Sequence, residues 1–270
     1  MQTLRTEALI LRSVDFGESD RIVHLLSPRT GRLTAIAKGA RRSVRRFGGT
    51  LDFFNQLRVQ LVLRPNAQMA RLEQTRLLGT FEGLRTRPRS FVLGCYLLEL
   101  LDRLAPEGGA PRDLDRLFGF ALGALGALER RSPDLRLRTL LELCTLDALG
   151  LRPELRRCVR CGSEVSGPRV GFSVPDGGPA CSACGPAMSD LLPIHLGTLR
   201  ALEQGVRLGV ERADRLAFPP RALAEARRIV GRFERFHLGV ELRSERLVEQ
   251  LLQDCPTPEE RRMERSRETS

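Results

Sequence analysis

Leu57-Arg58-Val59-Gln60-Leu61-Val62-Leu63 places an apolar side chain at 57, 59, 61 and 63, with polar Arg58 and Gln60 between them. A period of two is the spacing of a strand with one face buried. Outward from this stretch the first eighty residues repeat the same kind of element. Leu4 to Val14 carries Ala8-Leu9-Ile10-Leu11 between polar flanks, Arg21 to Leu26 follows, and Arg32 to Lys38 alternates. Met69 to Leu77 is the fifth candidate. Turn residues separate them at Asp15 to Asp20, at Ser27-Pro28-Arg29-Thr30-Gly31 and at Pro65-Asn66. Five short strands at this spacing predict a small all-β barrel or sandwich. An OB-type barrel is one five-stranded solution, and that architecture often binds single-stranded nucleic acid.

From residue 88 the period lengthens to that of a helix. Leu93, Leu97, Leu100, Leu101 and Leu104 form one apolar stripe, and Leu114, Leu117, Phe118, Ala121, Leu122 and Leu125 form another. Ser132-Pro133-Asp134 predicts a helix start with Ser132 as the N-cap and Pro133 at the first position. Gly150 is the expected stop. Between 151 and 189 the pattern breaks into Gly, Pro and Cys, and helical spacing returns at about 194–208, 220–238 and 243–252. The stretch from Pro256 to Ser270 is charged and almost free of apolar residues, which predicts a disordered tail. Within the 270 residues the apolar fraction of 41% excludes a wholly disordered chain. No run approaches the ~18 apolar residues of a membrane span. The first 25 residues lack a basic segment followed by an apolar one, so the expected compartment is the cytoplasm.

The formal net charge is +11, which suggests a polyanionic partner. Residues 1–80 hold 14 cations and 6 acids, leaving a net of only +3 for all the rest. Lys38 is the sole lysine, so the excess is arginine, whose planar fork can donate two hydrogen bonds to one phosphate. The densest run is Lys38-Gly39-Ala40-Arg41-Arg42-Ser43-Val44-Arg45-Arg46-Phe47-Gly48-Gly49, with five cations and no acid. Such a loop would hold phosphates without reading sequence. Phe47, Phe53 and Phe54 are candidates for stacking on bases, with the barrel core as the competing place for Phe53 and Phe54.

The seven cysteines include Cys158-Val159-Arg160-Cys161 and Cys181-Ser182-Ala183-Cys184. Nineteen residues separate the pairs, inside the spacing of a four-cysteine zinc site. Two residues between thiolates let one tight turn aim both sulfurs at a single ion, and two such turns complete a tetrahedron. With every ligand supplied by protein the site is expected to be structural, holding one Zn2+. Gly162 and Gly185 follow the second cysteine of each pair and should relieve crowding there. A thioredoxin-type dithiol normally has one such pair on a βαβ unit, a pattern not seen here. Cys95 and Cys144 fall on apolar helix faces and read as core, while Cys255 borders the tail. No enzyme is expected: His24, His195 and His237 share no motif, and phosphate-binding, dinucleotide and GxSxG signatures are missing.

Three stretches carry a resemblance to a known family. They are Asp15-Phe16-Gly17-Glu18-Ser19-Asp20-Arg21-Ile22-Val23, Thr34-Ala35-Ile36-Ala37-Lys38-Gly39-Ala40-Arg41-Arg42 and Leu51-Asp52-Phe53-Phe54. Leu149-Gly150-Leu151-Arg152-Pro153 ahead of the two cysteine pairs adds a fourth. Together they resemble the RecO family of bacterial recombination mediators. The resemblance implies an α+β multidomain fold. An OB-type DNA-binding domain would span 1–80. An all-α body at 81–255 would carry a zinc-ribbon-like insertion at about 152–190. It implies DNA repair without covalent catalysis: binding of single- and double-stranded DNA, annealing of complementary strands, and partnership with RecR. Together the two would load RecA, indirectly, onto DNA coated by single-strand binding protein. Lys38, Arg41, Arg42, Arg45 and Arg46 are the expected phosphate contacts, Cys158, Cys161, Cys181 and Cys184 the expected zinc ligands, and the nucleoid the expected location. Arg227, Arg228 and Arg232 are candidates for the tail of single-strand binding protein. The competing expectation is a zinc-containing protein-interaction scaffold whose charge is not a DNA platform.

Overall fold

A computed structural model describes residues 2–65, 67–239 and 242–253. Its first five strands are β1 (Gln2–Phe16), β2 (Asp20–Ser27), β3 (Gly31–Ala37), β4 (Asn55–Leu63) and β5 (Ala70–Thr80), with a single helical turn, α1 (Val44–Phe47), between β3 and β4. β1 pairs antiparallel with both β2 and β4, β2 with β3, and β4 with β5. A short parallel seam, Ala35 to Ala70 and Ile36 to Arg71, joins β3 to β5 and closes the sheet into a barrel. Among the described residues, only these two residue pairs hold the seam. Leu57, Val59 and Leu61 point into it, as their spacing predicts, with Ala8, Ile10, Val23 and Leu25 opposite.

The run Ala8-Leu9-Ile10-Leu11 is apolar at every position because β1 is covered on both sides. Ala8 and Ile10 fill the barrel, while Leu9 and Leu11 belong to the core of the helical body. A register shift between Ile10 and Arg12 marks a bulge at this place, the usual device for re-aiming a strand.

The helical body comprises α2 (Glu82–Arg85), α3 (Pro88–Leu104), α4 (Pro111–Arg130), α5 (Leu135–Ala148), α6 (Leu196–Leu208), α7 (Pro220–Leu238) and α8 (Glu245–Gln253). α5 is its axis: Leu137, Leu140 and Leu141 face the core shared with α3 and α4, and Leu143 and Leu146 face a second core built with α6 and α7. The N-cap of α5 is Asp134, not Ser132. Its carboxylate accepts the Leu137 amide at 2.7 Å. Proline at 133 disfavours helical geometry in the residue before it, and the helix begins only once Asp134 can cap it. Gly150, at φ +74°, does end α5: its amide reaches the Asp147 carbonyl at 3.0 Å, and the Leu151 amide reaches that of Leu146 at 2.8 Å. Tyr96 of α3 donates to Glu142 at 2.7 Å, and Arg138 pairs with Glu142 at 2.8 Å and with Glu249 of α8.

The body is not wholly helical. β6 (Arg169–Ser173), β7 (Gly178–Ala180) and β8 (Leu192–His195) form an antiparallel sheet in the order β7-β6-β8. β8 lies just beyond the expected end of the insertion at about 190 and runs directly into α6. Four residues containing a proline are too short to show a strand period, so β8 merges with the helical pattern that follows it. Cys255 and the stretch 256–270 lie outside the described residues. No helix among the described residues is long and apolar enough to cross a membrane.

Barrel and body meet at Asp102 of α3, which is 9% exposed and accepts from His24 Nδ1 at 2.6 Å and from Arg32 Nε at 2.9 Å. Beside it the backbone is stitched by Arg32 N–H to the Pro106 carbonyl and Gly108 N–H to that of Thr30, both at 2.8 Å. Gly31, at φ +66°, sits between them, and a Cβ there would lie 2.2 Å from the Pro106 carbonyl oxygen. Burial raises the Asp102 pKa, but the bonds from His24 and Arg32 outweigh it and hold the carboxyl below its ordinary 3.8. A carboxylate whose pKa is lower when folded adds stability above the unfolded value and loses it as the pH falls through the folded one. Asp102→Asn should therefore lower stability at pH 7 by about 2–4 kcal/mol, since it leaves the largely buried Arg32 with only the exposed Glu107 as counterion. The deficit should shrink in urea melts as the pH falls from 3.8, the ordinary value, through the lower folded pKa, where the wild type gives up the same charge. An equal deficit at pH 7 and in strong acid would refute the ion-pair account.

Candidate nucleic-acid surface and metal centre

The basic loop leaves β3 at Ala37 and is shaped by Asp20, at the start of β2. One Asp20 oxygen accepts the Gly39 amide at 2.8 Å and the other accepts Lys38 Nζ at 2.6 Å. The Lys38 bond, then the Gly39 amide, lowers the Asp20 pKa. Gly39 supplies the left-handed turn, φ +67°, and the Arg41 amide bonds to the Ser19 carbonyl at 3.0 Å. α1 then drives Phe47 into the end of the barrel, where it is buried. Arg46 turns back across the loop. It donates to the Lys38 carbonyl at 2.8 Å and to Ser43 Oγ at 3.2 Å, with its guanidinium 5.0 Å from the centre of the Phe47 ring. Thr75 of β5 donates to the Arg46 carbonyl at 2.9 Å.

The five expected cations are thus gathered on one loop but differ in what they are free to do. Lys38 is ion-paired and Arg46 is committed to the loop. Arg41, Arg42 and Arg45 are exposed. Arg41 stands 3.8 Å from Asp15 and Arg42 3.9 Å from Glu18, pairs too open to water to hold the side chains. The Arg45 side chain has no hydrogen bond or ion pair among the described residues. Of the three phenylalanines, Phe47 and Phe54 are core, and Phe53 is 36% exposed. The three histidines are tied into the scaffold: His24 to Asp102, His195 to Glu225 at 2.6 Å, and His237 to the Val174 carbonyl at 2.7 Å. Arg227 pairs with Glu249, and Arg228 donates to the Pro193 carbonyl at 2.7 Å.

The second site is the cysteine cluster. The Sγ atoms of Cys158, Cys161, Cys181 and Cys184 all lie within 4.8 Å of one another. None forms a disulfide, and Cys161 and Cys181 stand 3.7 Å apart. A tetrahedral ion with bonds of about 2.3 Å spaces its sulfurs by about 3.8 Å, so the four fit a metal. Each pair sits on a tight turn: Gly162 N–H bonds to the Cys158 carbonyl at 2.9 Å and Gly185 N–H to that of Cys181 at 2.8 Å. Gly162 takes the left-handed conformation at φ +74°. Gly185 does not, and instead opens a 3-10 turn, Gly185–Ala187. Burial alone would raise the Cys158 thiol, but amides of Cys181, Cys161 and Arg160 bring it down to about 6. Cys184 is pushed up to about 12 by the sulfurs of Cys181 and Cys161. Four cysteine sulfurs at this spacing are positioned to share one metal ion.

Residues 1–81 match the family model described as Recombination protein O N terminal, and residues 85–246 match Recombination protein O C terminal. The chain is 34% identical to the DNA repair protein RecO of Anaeromyxobacter dehalogenans, over 93% of this chain and 98% of that one. It is 32% identical to that of Geobacter sulfurreducens, over 93% and 99%, and 34% identical to that of Myxococcus xanthus, over 90% and 96%. The chain belongs to the RecO family.

The structure also shows organising residues in this RecO chain that the sequence reading passed over. Asp20, which entered there only as the end of a turn, sets the path of the basic loop. Glu154 Oε1 accepts the amides of Leu155, Arg156 and Arg157 at 2.9, 2.7 and 3.1 Å and so bends the chain into the first cysteine turn. Burial raises the Glu154 pKa, but these amides lower it further. Its signal was faint: one acid after a proline, just ahead of Cys158. Because Cys161 is exposed, Cys161→Ser removes a ligand without opening a core cavity. Purified wild type should contain about one metal ion per chain and the variant far less. Amides of residues 155–185 should lose exchange protection in the variant while those of β1 to β5 keep theirs. Unchanged metal content would show that these sulfurs do not form the site.

Proposed function

We propose that this RecO-family chain is a DNA repair protein acting as a recombination mediator. It binds single- and double-stranded DNA and anneals complementary strands. With RecR it helps load RecA onto DNA coated by single-strand binding protein. The observation that carries the reading is the loop at 38–46. Arg41, Arg42 and Arg45 project from a segment fixed to a closed barrel by Asp20, Arg46 and Phe47. Charge presented on an already ordered loop binds phosphate with little added ordering entropy, and release of counterions from DNA supplies the affinity. A cationic surface of this kind also screens two polyanionic strands from each other, which is what annealing requires. The matching relatives carry the name DNA repair protein RecO, and the five-stranded closed barrel is of the OB type that binds single strands.

On this reading the barrel, residues 1–80, is the DNA-binding domain, and the helical domain to 255 carries the cysteine module. Cys158, Cys161, Cys181 and Cys184 hold one Zn2+, a structural ion with all four positions filled by protein. No step of binding or annealing forms or breaks a covalent bond, so the protein is not an enzyme. It works in the cytoplasm, at the nucleoid.

A salt series with a labelled single strand tests the reading. Each phosphate neutralised on a single strand steepens the log–log slope by about 0.7. Reversing Arg41, Arg42 and Arg45 to Glu should flatten the slope by about 2 and weaken binding at low salt at least tenfold. Reversing Lys38 should perturb the loop as well, because Asp20 loses its partner. Equal slopes for wild type and triple variant would leave the scaffold reading as the better one.

A further inference from the structure

Phe53 stands between two hollows where the barrel meets the helical body. One, of about 610 Å³, is walled by Phe53, Phe91, Arg21 and Arg85. The other, of about 360 Å³, has Leu11, Leu98 and Cys95 at its base and Arg12, Arg103 and Arg243 around it. Phe53 borders both, so together they form a groove with an aromatic ring at its middle. The groove opens toward the basic loop, since Asp15 lines the first hollow and is the carboxylate that Arg41 approaches.

The exposure of Phe53 is imposed by its neighbour. Phe54 is held at φ +67°, a left-handed conformation that bulky side chains rarely adopt. It turns the Phe54 ring into the core, edge-on to Phe91 at 5.5 Å, and leaves the Phe53 ring outside. Arg85 donates to the Phe53 carbonyl at 2.6 Å and fixes the backbone there. A strained residue held in place by its surroundings is the pattern of a pre-organised binding site.

The acids around the groove are already engaged. Arg21 lies 3.0 Å from Asp15 and 3.7 Å from Asp52. His24 and Arg32 hold Asp102, and Glu99 accepts from the amides of Arg243 and Ser244. The guanidinium groups of Arg12 and Arg243 have no hydrogen bond or ion pair among the described residues. The groove therefore offers unpaired positive charge beside half-exposed aromatic rings, the combination that binds a single strand through its phosphates and its base faces.

We propose that this groove is a nucleobase-stacking site. A base unstacked from a single strand lies on Phe53, with Phe91 flanking it and Arg12 and Arg243 on the adjoining phosphates. The inference rests on the single-strand-binding function proposed above and extends that surface from the loop into the junction. It also gives the two strand forms different footprints: both reach the loop arginines, but only a single strand has a free base face for Phe53.

The chain contains no tryptophan, so Phe53→Trp provides a sole indole at the site and keeps a large ring there. An oligothymidylate should strongly quench its emission, and a duplex of equal length should quench it far less. Phe53→Ala, with its fold checked by circular dichroism, should lower single-strand affinity about 5- to 100-fold and leave duplex affinity within about twofold. If labelled oligothymidylate binds by anisotropy while the Phe53→Trp emission stays unchanged and Phe53→Ala binds like wild type, the groove is overturned and single-strand binding stands. If wild type shows no anisotropy change at low salt, the single-strand function itself falls and the groove with it.

Discussion

One carboxylate, Asp102, is reached from two adjacent strands of the barrel, by His24 from β2 and by Arg32 from β3. Its 9% exposure means that desolvation of the charges opposes the contact. Replacing such a cluster by apolar side chains would bury as much surface, but it would not fix one orientation. Hydrogen bonds from two directions allow few alternatives, and the backbone stitch at Gly31 and Pro106 allows fewer. The angle between barrel and helices follows from this junction. So does the covering of Leu9 and Leu11 on the outer face of β1, and with it the groove beside Phe53. Arg12 reaches that groove because the bulge after Ile10 breaks the alternation and leaves Leu11 and Arg12 lining the same side of the strand.

The cysteine module depends on a different constraint. Its apolar residues Val170, Phe172 and Ile194 have no core of their own and pack with Leu199, Leu202, Ile229 and Phe233 of α6 and α7. Two turns and a three-stranded sheet bury too little to order themselves, and four cysteines placed to ligate a metal would supply the missing interior. Cys158 is buried against that shared core while Cys161 faces solvent, so the four sulfurs lie at the rim of the body. An ion held there would order the turns without reorganising the barrel.

What could be read from the sequence divides along the same lines. Local spacing carried far: the alternation at Leu57–Leu63, the stripes of α3 and α4, the Gly150 stop and the two cysteine turns all depend on residues a few positions apart. Pairings distant in sequence were silent. Nothing near Arg46 shows that its guanidinium folds back onto the Lys38 carbonyl, and nothing near Lys38 announces Asp20 eighteen residues earlier. β8 is too short for a period, and the cap of α5 moved by two residues because a proline outranked a serine. The five-cation run was readable as a basic loop, but not which of its members face outward.

That distinction bears on how the loop acts. Five mobile cations would attract a polyanion strongly and lose conformational freedom when it arrived. Here two of the five spend their hydrogen bonds within the fold, Lys38 on Asp20 and Arg46 on the chain between them, and the loop is ordered before any ligand comes. Phe47 anchors it from below and Thr75 from the side. The remaining three arginines stand on a fixed base with only weak, exposed neighbours, two carboxylates and, for Arg41, the Glu18 carbonyl at 3.4 Å, so little must be broken for them to take a phosphate. Lys38 and Arg46 therefore support binding through the position of the others, and a change at either should act on loop geometry before it acts on charge.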